Sequence, residues 1–458
     1  MFKEYIIANE DQMIKDLGEM IKIPSKLEEY DNPQYPFGRN VDDALNKFLE
    51  IGKRLGFRTK NIDKYCAYIE FGEGQELVGI IGHLDVVPEG EGWTHPPFEL
   101  TIDNDKLYGR GTTDDKGPMI ASLYAMKAVM ENTAVHKRVR LIIGLNEENS
   151  WKCINYYKAH EEAPTVGFSP DADFPCIYAE KALLTAYTSE TYVENDKIKI
   201  KEIDCKNNRV NVVPKYCSIK LEVDSKIEEE VKKILLEKVS ENISFTKMQN
   251  EFYIETRGIQ AHAAHPELGK NAVSEMVMLL NELFNRYDAE EKTIRLLATK
   301  VRKETNGESL GIDHKNTELG DLTLNLAQLK LEDGKIKSGM NLRIPGDQNL
   351  EEVKTKIEKE LDGIEVKFAG EKPALYIPKD NELVKKLCRI YNEYTGENRE
   401  PLAIGGATFA RAFKNCVSFG AIKPGEPDMC HQVDEYIKHK DLIDACCMYA
   451  SAIYELAQ

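Results

Sequence analysis

The sequence lacks several features that define large classes of protein. It has no uninterrupted apolar segment of the roughly 18–20 residues that a membrane-spanning helix requires. Its first residues, MFKEYIIANEDQMIKDL, carry charges throughout and contain no apolar core of a signal peptide. Ten cysteines are present, but no pair has the Cys-x-x-Cys spacing of a structural zinc or redox site. We therefore expect a cytoplasmic protein whose cysteines are reduced and mostly buried.

Basic clusters and common nucleophile motifs are also missing. The chain has 61 Lys and Arg against 78 Asp and Glu, a formal net charge of −17, and no dense run of basic residues. Nucleic acids and anionic membranes are bound through such basic patches, so neither is an expected partner. No GxSxG motif occurs, and no cysteine lies in a recognisable nucleophile motif, which disfavours a serine or cysteine hydrolase.

Apolar patterns divide the chain of 458 residues into two kinds of structure. Near both ends, continuous apolar runs such as LVGIIGH (77–83) alternate with helical patterns, which is typical of an α/β layer with buried parallel strands. Between them, residues 322–345 alternate with period two around Asp333-Gly334, which predicts an antiparallel hairpin. We expect one α/β domain over 1–181 and 380–458, with a mixed, largely parallel sheet flanked by helices, interrupted by an inserted α+β lid domain over 182–379.

Carboxylates and imidazoles follow the predicted buried strands, where ligands of open α/β sheets gather. These residues are His83, Asp85, Glu147, Glu148, Asp171 and His431. Asp114 lies in a glycine-rich stretch, GRGTTDDKGP, immediately before a predicted helix, and we expect it at the same sheet edge. Taken singly, each has a plainer interpretation: a surface hydrogen-bonded His-x-Asp pair, a solvated Glu-Glu pair, or an Asp-Asp turn or helix cap. Together, so many acids at one sheet edge would repel one another unless cations were present. Two imidazoles and three carboxylates suit zinc or, less specifically, manganese or cobalt.

The order of the motifs resembles a known enzyme family. GHLDVVP, YGRGTTDDKGP, NEEN, SPDADFP and MCHQ follow one another as in the co-catalytic zinc amidohydrolases, which include aminoacylases, carboxypeptidase G and carnosinases. The sequence is most similar to their bacterial dipeptidase V branch. NRVNVVP, GIQAHAAHPELGKNA, MNLRIPGD and GGATFARAF extend the resemblance over nearly the whole chain. It implies a zinc-peptidase-like fold and two divalent metal ions.

The same resemblance implies a role for each residue. Asp114 bridges the two metals, with His83 and Asp171 completing one site and Glu148 and His431 the other. Asp85 orients the His83 imidazole, an arrangement common for metal-bound histidine. Glu147 is the general base, which accepts the proton of the attacking water and delivers it to the leaving amine. The Asp114–Asp115 peptide is expected to be cis.

Residues of the inserted domain are implied to contact the substrate. His262 is assigned to the oxyanion of the scissile carbonyl, although His265 competes for this role on composition alone. Asn211 and Arg343 match positions that contact the substrate's carboxylate end, and the alternative for Arg343 is a surface salt bridge. Outside the inserted domain, Gly406 and Thr408 lie in a loop suited to close approach of the substrate backbone.

Three functions remain open at this point. The first is a broad-specificity metallo-dipeptidase, acting on Xaa-His or other dipeptides, whose long insertion closes the site within a monomer. The second is an N-acyl amino acid deacylase with the same metals, distinguished by an apolar pocket where a dipeptidase has an acid for the substrate ammonium. Asp115 and Glu180 are the candidate ammonium partners. The third, a catalytically inactive binding protein, fits poorly because the metal ligands and the base are all present.

Overall fold

The structure is a computed structural model that describes residues 2–28, 32–207, 209–289 and 291–458. Asn208, which begins the NRVNVVP motif, lies outside the described residues. The chain divides into two compact units. The first contains the described residues of Met1–Ala179 with Leu375–Ala403 and Thr408–Gln458, and the second contains those of Glu180–Ala374 with Ile404–Ala407. The segment Ile404–Ala407, expected in the first domain, thus belongs to the second unit.

Helices occur in both units. They are α1 Lys3–Ala8, α2 Glu10–Ile21, α3 Arg39–Arg54, α4 Lys116–Asn132, α5 Lys152–His160, α6 Glu228–Lys238, α7 Ala272–Arg286, α8 Lys292–Leu296, α9 Leu350–Glu360, α10 Glu382–Thr395 and α11 His439–Leu456. A π-helical turn, Leu297–Val301, continues α8, and 3₁₀ turns cover Pro266–Leu268, Glu308–Leu310 and Phe409–Ala412. No helix of the described ranges combines the length and apolar character needed to cross a membrane.

The strands fall into five sheets over the part of the chain that the structure describes. They are β1 Arg58–Ile62, β2 Cys66–Phe71, β3 Leu77–His83, β4 Thr101–Asp103, β5 Lys106–Tyr108, β6 Arg138–Gly144, β7 Val166–Ser169, β8 Ala172–Asp173, β9 Ile177–Glu180, β10 Ala182–Thr191, β11 Ile198–Asp204, β12 Tyr216–Val223, β13 Ile243–Met248, β14 Glu251–Arg257, β15 Thr323–Glu332, β16 Lys335–Ile344, β17 Glu365–Lys372, β18 Leu375–Tyr376, β19 Leu402–Ile404, β20 Cys416–Ser418, β21 Ala421–Ile422 and β22 Tyr436–Lys438.

A mixed sheet forms the centre of the first unit. Its order is β1-β2-β6-β3-β7-β20-β9-β18, with β19 paired to β9. The four middle strands, β6, β3, β7 and β20, are parallel to one another. At the two ends of this group the pairing is antiparallel, between β2 and β6 and between β20 and β9, and β1 also pairs with β2 in antiparallel fashion. All seven residues of β3 are buried, as expected for a strand covered on both faces. The apolar helix α4 contacts α2 and α11 and is buried along most of its length.

The second unit contains two antiparallel sheets, β15-β16-β10-β17 and β11-β12-β14-β13. Burial alternates along β12, so one face of its sheet packs on the core of the unit and the other is partly solvated. The predicted hairpin is present between β15 and β16. Asp333 and Gly334 both have positive φ, 53° and 69°, as a two-residue type I′ turn requires.

Two elements differ from their sequence patterns. The periodicity of 3–22 predicts one helix, but Asn9 separates α1 from α2 and donates its side-chain amide to the Tyr5 carbonyl at 2.8 Å. Such local bonding competes with helix continuation. The apolar run 416–422 predicts one strand, but β20 joins the central sheet while β21 pairs with β8. Between them Gly420 has φ of 77°, and the Phe174 ring occupies the space of a β-carbon there.

Candidate active site

The parallel strands bring the predicted site residues to one sheet edge. β3 and β6 end side by side, because His83 is paired with Gly144. β7 lies on the other side of β3. Asp85 directly follows β3, Glu147 and Glu148 follow β6, and Asp171 follows β7. The carboxyl ends of these strands therefore collect the side chains that the sequence analysis singled out.

Two groups of potential metal ligands share Asp114. One contains His83, Asp114 and Asp171, the other Asp114, Glu148 and His431, and within each group the ligand atoms all lie within 4.8 Å of one another. His83 Nε2 lies 3.0 Å from Asp114 Oδ1 and 3.6 Å from Asp171 Oδ2. His431 Nε2 lies 3.1 Å from Asp114 Oδ2 and 2.8 Å from Glu148 Oε1. Each carboxylate oxygen of Asp114 thus faces a different imidazole.

The atoms that face each other in the first group fit a cation. The His83 Nδ1 atom lies 2.9 Å from the Asp85 carbonyl oxygen. Because a carbonyl only accepts, Nδ1 carries the hydrogen, so the neutral form of the ring has the lone pair on Nε2, where it can bind a cation. Within the described ranges, His83 Nε2 and Asp114 Oδ1 are buried and have no hydrogen-bond partner. Two buried electron-pair donors directed at one another match the donor set of a divalent metal.

The electrostatics of the site also call for positive charge. Burial and the Asp114 carboxylate raise the pKa of Asp171 to about 8 and that of Glu148 to about 7. Burial opposes protonation of His431, yet Glu148 and Asp114 raise its pKa to about 11. Burial likewise opposes protonation of His83, whose pKa the surrounding carboxylates raise well above its ordinary value. Clustered carboxylates resist ionising together unless a cation, either protons or metal, compensates them.

Asp85 contacts the His83 imidazole mainly through its backbone. The contact to His83 Nδ1 at 2.9 Å comes from the main-chain carbonyl, whereas the carboxylate is 3.4 Å away. That carboxylate instead accepts the backbone N–H groups of Glu147 and Glu148, each at 3.1 Å. Asp85 therefore joins the end of β3 to the Glu-Glu segment that follows β6.

Asp115 stabilises the end of β3 by a hydrogen bond to its backbone. It is fully buried, and its Oδ2 accepts the backbone N–H of His83 at 3.0 Å. A β-carbon on Gly82 would lie 2.2 Å from that oxygen, so only glycine fits opposite it. This burial does not support Asp115 as a partner for a substrate ammonium. The Asp114–Asp115 peptide is cis, as the resemblance implies.

Glu435 is a residue of the site that the sequence analysis missed. Its Oε1 accepts the backbone N–H groups of Thr113 and Asp114 at 2.8 and 3.1 Å. Its Oε2 accepts Gly111 N–H at 3.0 Å and the Arg110 guanidinium at 2.7 Å. Because Glu435 lies four residues after His431, it ties the His431 loop to the loop of the shared carboxylate. In the sequence, the only indication of this role is its position four residues after His431, and a solvent-exposed acid in a loop could lie there just as well.

The remaining predicted residues form smaller groups. In the second unit, Asn211 and His262 are neighbours, since the Ala263 N–H donates to the Asn211 carbonyl at 2.9 Å and Val212 bridges with His262. His265, the competing histidine, is exposed and lies 3.3 Å from Glu267. Thr408 belongs to the first unit, where its hydroxyl lies 2.8 Å from that of Ser418 and caps the following 3₁₀ turn.

Arg343 is buried in the second unit. With 5% of its surface exposed, it does not match the surface salt bridge considered as an alternative. Its Nε donates to Asn341 Oδ1 at 3.1 Å and its Nη1 to the Gly405 carbonyl at 3.0 Å. Arg343 is thereby held beside the segment that contains Gly406. Glu180, the other candidate ammonium partner, is buried in the same unit.

Known proteins resemble this chain over its full length. The family model described as "Peptidase family M20/M25/M40" matches residues 79–455. The chain is 36% identical over 468 residues to the putative dipeptidase YtjP of Bacillus subtilis, covering 99% of each protein. It is 34% identical over 476 residues to the Beta-Ala-Xaa dipeptidase of Lactobacillus delbrueckii subsp. lactis, covering 100% of this chain and 98% of that protein.

A solved structure confirms the predicted fold class. Human carnosine dipeptidase 1 superposes with a TM-score of 0.62 at 15% identity, over 100% of this chain and 98% of that one. At this identity the likeness concerns the fold. It agrees with the mixed α/β architecture that the alternation of buried strands and helices predicts.

Proposed function

The chain belongs to the M20/M25/M40 peptidase family and is a hydrolase that acts on peptide bonds, and from that premise we propose that it is a two-metal dipeptidase of broad specificity. The observation that carries the proposal is the position of Asp114. Its two carboxylate oxygens face the Nε2 atoms of His83 and His431, at 3.0 and 3.1 Å. A single carboxylate shared by two ligand groups fits a pair of closely spaced metal ions.

Five side chains would hold the metals. His83, Asp114 and Asp171 would bind one ion, and Asp114, Glu148 and His431 the other. Imidazole nitrogen with carboxylate oxygen suits zinc, and manganese or cobalt less specifically. When bound, such ions supply Lewis acidity to the scissile carbonyl and to water.

Glu147 would move the proton. It adjoins the ligand Glu148 but belongs to neither ligand group, and it is 8% exposed. A carboxylate in this position can accept a proton from water while the oxygen of that water attacks the carbonyl carbon. The same carboxyl then returns the proton to the amine nitrogen as the carbon–nitrogen bond breaks.

The second unit would bind the ends of the substrate. His262 would donate to the developing oxyanion, and Asn211, its neighbour in the unit, would contact the substrate near its carboxylate. Arg343, which is held by Asn341 and the Gly405 carbonyl, would bind the substrate carboxylate, because a guanidinium suits a carboxylate. Gly406 of this unit and Thr408 of the first unit would lie along the substrate backbone. We propose that this unit serves as a lid that limits the substrate to short peptides.

The proposal of a dipeptide substrate is supported by the names of the two relatives, which are both called dipeptidases. The N-acyl amino acid deacylase remains the alternative with the same chemistry. Turnover of a panel of alanyl and Xaa-His dipeptides, compared with acetylated amino acids in added zinc or manganese, separates the two. Glu147→Ala should retain metal and lose hydrolysis by about 10²–10⁴-fold. Preference for acetylated amino acids would favour the deacylase, and equal turnover of tetrapeptides would contradict the lid.

Oligomeric state and location are proposed with the function. A monomer follows from an insertion long enough to close the site within one chain, and light scattering measures it directly. A cytoplasmic location is supported by the ten cysteines, all of which are free thiols. Cell fractionation tests the location.

A further inference from the structure

Trp151 contacts the residue to which we assign proton transfer. Its indole Nε1–H donates to Oε1 of Glu147 at 3.0 Å. Both side chains are buried, with 7% and 8% of their surfaces exposed. A hydrogen bond to a charged acceptor in such surroundings is stronger than one in water. Glu147 therefore has one oxygen whose position is fixed by an aromatic donor.

The backbone at Trp151 is unusual for a bulky residue. Trp151 precedes α5 with φ of 59° and ψ of 19°, in the left-handed region that large side chains rarely adopt. The turn is closed by Asn146, whose carbonyl accepts the Trp151 N–H at 3.1 Å and whose Oδ1 accepts the Lys152 N–H at 3.2 Å. Such conformations persist where the surroundings hold them, and they concentrate at functional sites. Here the turn directs the indole back towards Glu147.

A second aromatic residue holds the indole ring in place. The Phe409 ring packs edge-on against Trp151, with 5.1 Å between centroids and an interplanar angle of 66°. Phe409 in turn fills the space beside Gly144, where a β-carbon would lie 2.2 Å from its Cε2 atom. Gly144, the last residue of β6, therefore leaves the space that the Phe409 ring occupies. This packing fixes the indole independently of its hydrogen bond.

We propose that Trp151 is a positioning residue for peptide hydrolysis, which holds the Glu147 carboxylate through its hydrogen bond to Oε1. The inference rests on the proposed function, in which Glu147 is the base. In the reaction, the oxygen of water bonds to the carbonyl carbon while the Glu147 carboxylate accepts one proton. That proton passes to the amine nitrogen as the peptide bond breaks. A carboxylate in a fixed position stays aligned for both transfers, and misalignment lowers turnover more than substrate binding.

Trp151→Phe tests the inference, because it keeps an aromatic ring and removes the N–H donor. We expect kcat on a dipeptide to fall about tenfold, with KM changed by less than about twofold and the metal content unchanged. Trp93→Phe is the matched control, since the indole of Trp93 donates to the Glu89 carbonyl at 2.7 Å instead. Its kcat should equal that of the wild type. Wild-type kcat in Trp151→Phe, or a raised KM with unchanged kcat, would overturn the proposal.

A spectroscopic measurement tests the contact without turnover. The chain has two tryptophans, so its ¹⁵N spectrum has two indole signals, which the Phe variants assign. Glu147→Gln removes the charge of the acceptor and should shift the Trp151 signal upfield while leaving the Trp93 signal in place. An unmoved Trp151 signal would refute the contact. Wild-type turnover in Glu147→Gln would refute the proposed role of Glu147 itself, so the two failures are distinguishable.

Discussion

Oδ1 of Asp85 accepts a hydrogen bond from the backbone N–H of Glu147 at 3.1 Å, although 62 residues separate the two in sequence. The other oxygen accepts the N–H of Glu148 at 3.1 Å, and the main-chain carbonyl of Asp85 faces the His83 imidazole. One residue therefore contacts a proposed ligand of each metal and the proposed base. A change at Asp85 should therefore affect the positions of all three residues, His83, Glu147 and Glu148.

Asp85→Asn should impair both metal binding and turnover. The amide has one acceptor oxygen where the carboxylate has two, so one of the two backbone N–H groups loses its partner. Residues that support metal ligands typically change metal affinity or activity by about 10–100-fold, and we expect a loss in that range. Competition with a zinc chelator measures the affinity. Asp103→Asn, on an exposed strand, is the control, and equal affinities in the two variants would contradict the prediction.

Metal stoichiometry should distinguish the shared carboxylate from the ligands of one group. Elemental analysis of the wild type should find about two metal ions per chain, as a co-catalytic pair requires. Asp171→Asn should reduce this to about one, because Asp171 belongs to one group. Asp114→Asn should reduce it to nearly none, because Asp114 belongs to both. Equal losses in the two variants would argue against bridging by Asp114.

Removing Glu435 should destabilise the first unit. Glu435 and Arg110 are both 1% exposed, and their atoms lie 2.7 Å apart. Glu435→Ala leaves a buried guanidinium without its carboxylate, which typically costs about 3–5 kcal/mol. Urea unfolding followed by tryptophan fluorescence measures this, because Trp93 and Trp151 both lie in the first unit.

The control for Glu435 is a partly exposed ion pair in the same unit. Glu426 and Lys438 lie 2.7 Å apart with about a third of each side chain exposed. Glu426→Ala should cost less than about 1 kcal/mol, as surface pairs do. If the two variants lose the same free energy of unfolding, the Glu435 contacts do not stabilise the loop as the geometry indicates.

Features encoded by local patterns can be predicted from the sequence, whereas contacts between residues far apart in the chain cannot. His83, Glu147 and Glu148 stand at abrupt polar ends of buried apolar strands, and parallel pairing brings such ends together. The family and the α/β fold, predicted from those motifs, are confirmed. Glu435 contacts Asp114 across 321 residues, and no local pattern encodes that contact. Similarly, residue type alone does not determine whether the carbonyl or the carboxylate of Asp85 faces His83.

Arg343→Lys should weaken selection for a free carboxylate at the end of the substrate. Lysine keeps the charge but loses the planar pair of donors, so kcat/KM for dipeptides should fall about 10–100-fold, the size expected for hydrogen bonds to a charged group. For the same dipeptides with an amidated C-terminal end, kcat/KM should change little, because these substrates have no carboxylate for Arg343 to bind. Arg302→Lys, whose side chain is 57% exposed in the same unit, is the control. Thermal melting checks that the loss of the Asn341 and Gly405 contacts has not unfolded the unit. An equal fall for both substrate types would mean that Arg343 supports the segment of Gly406 rather than binding the substrate.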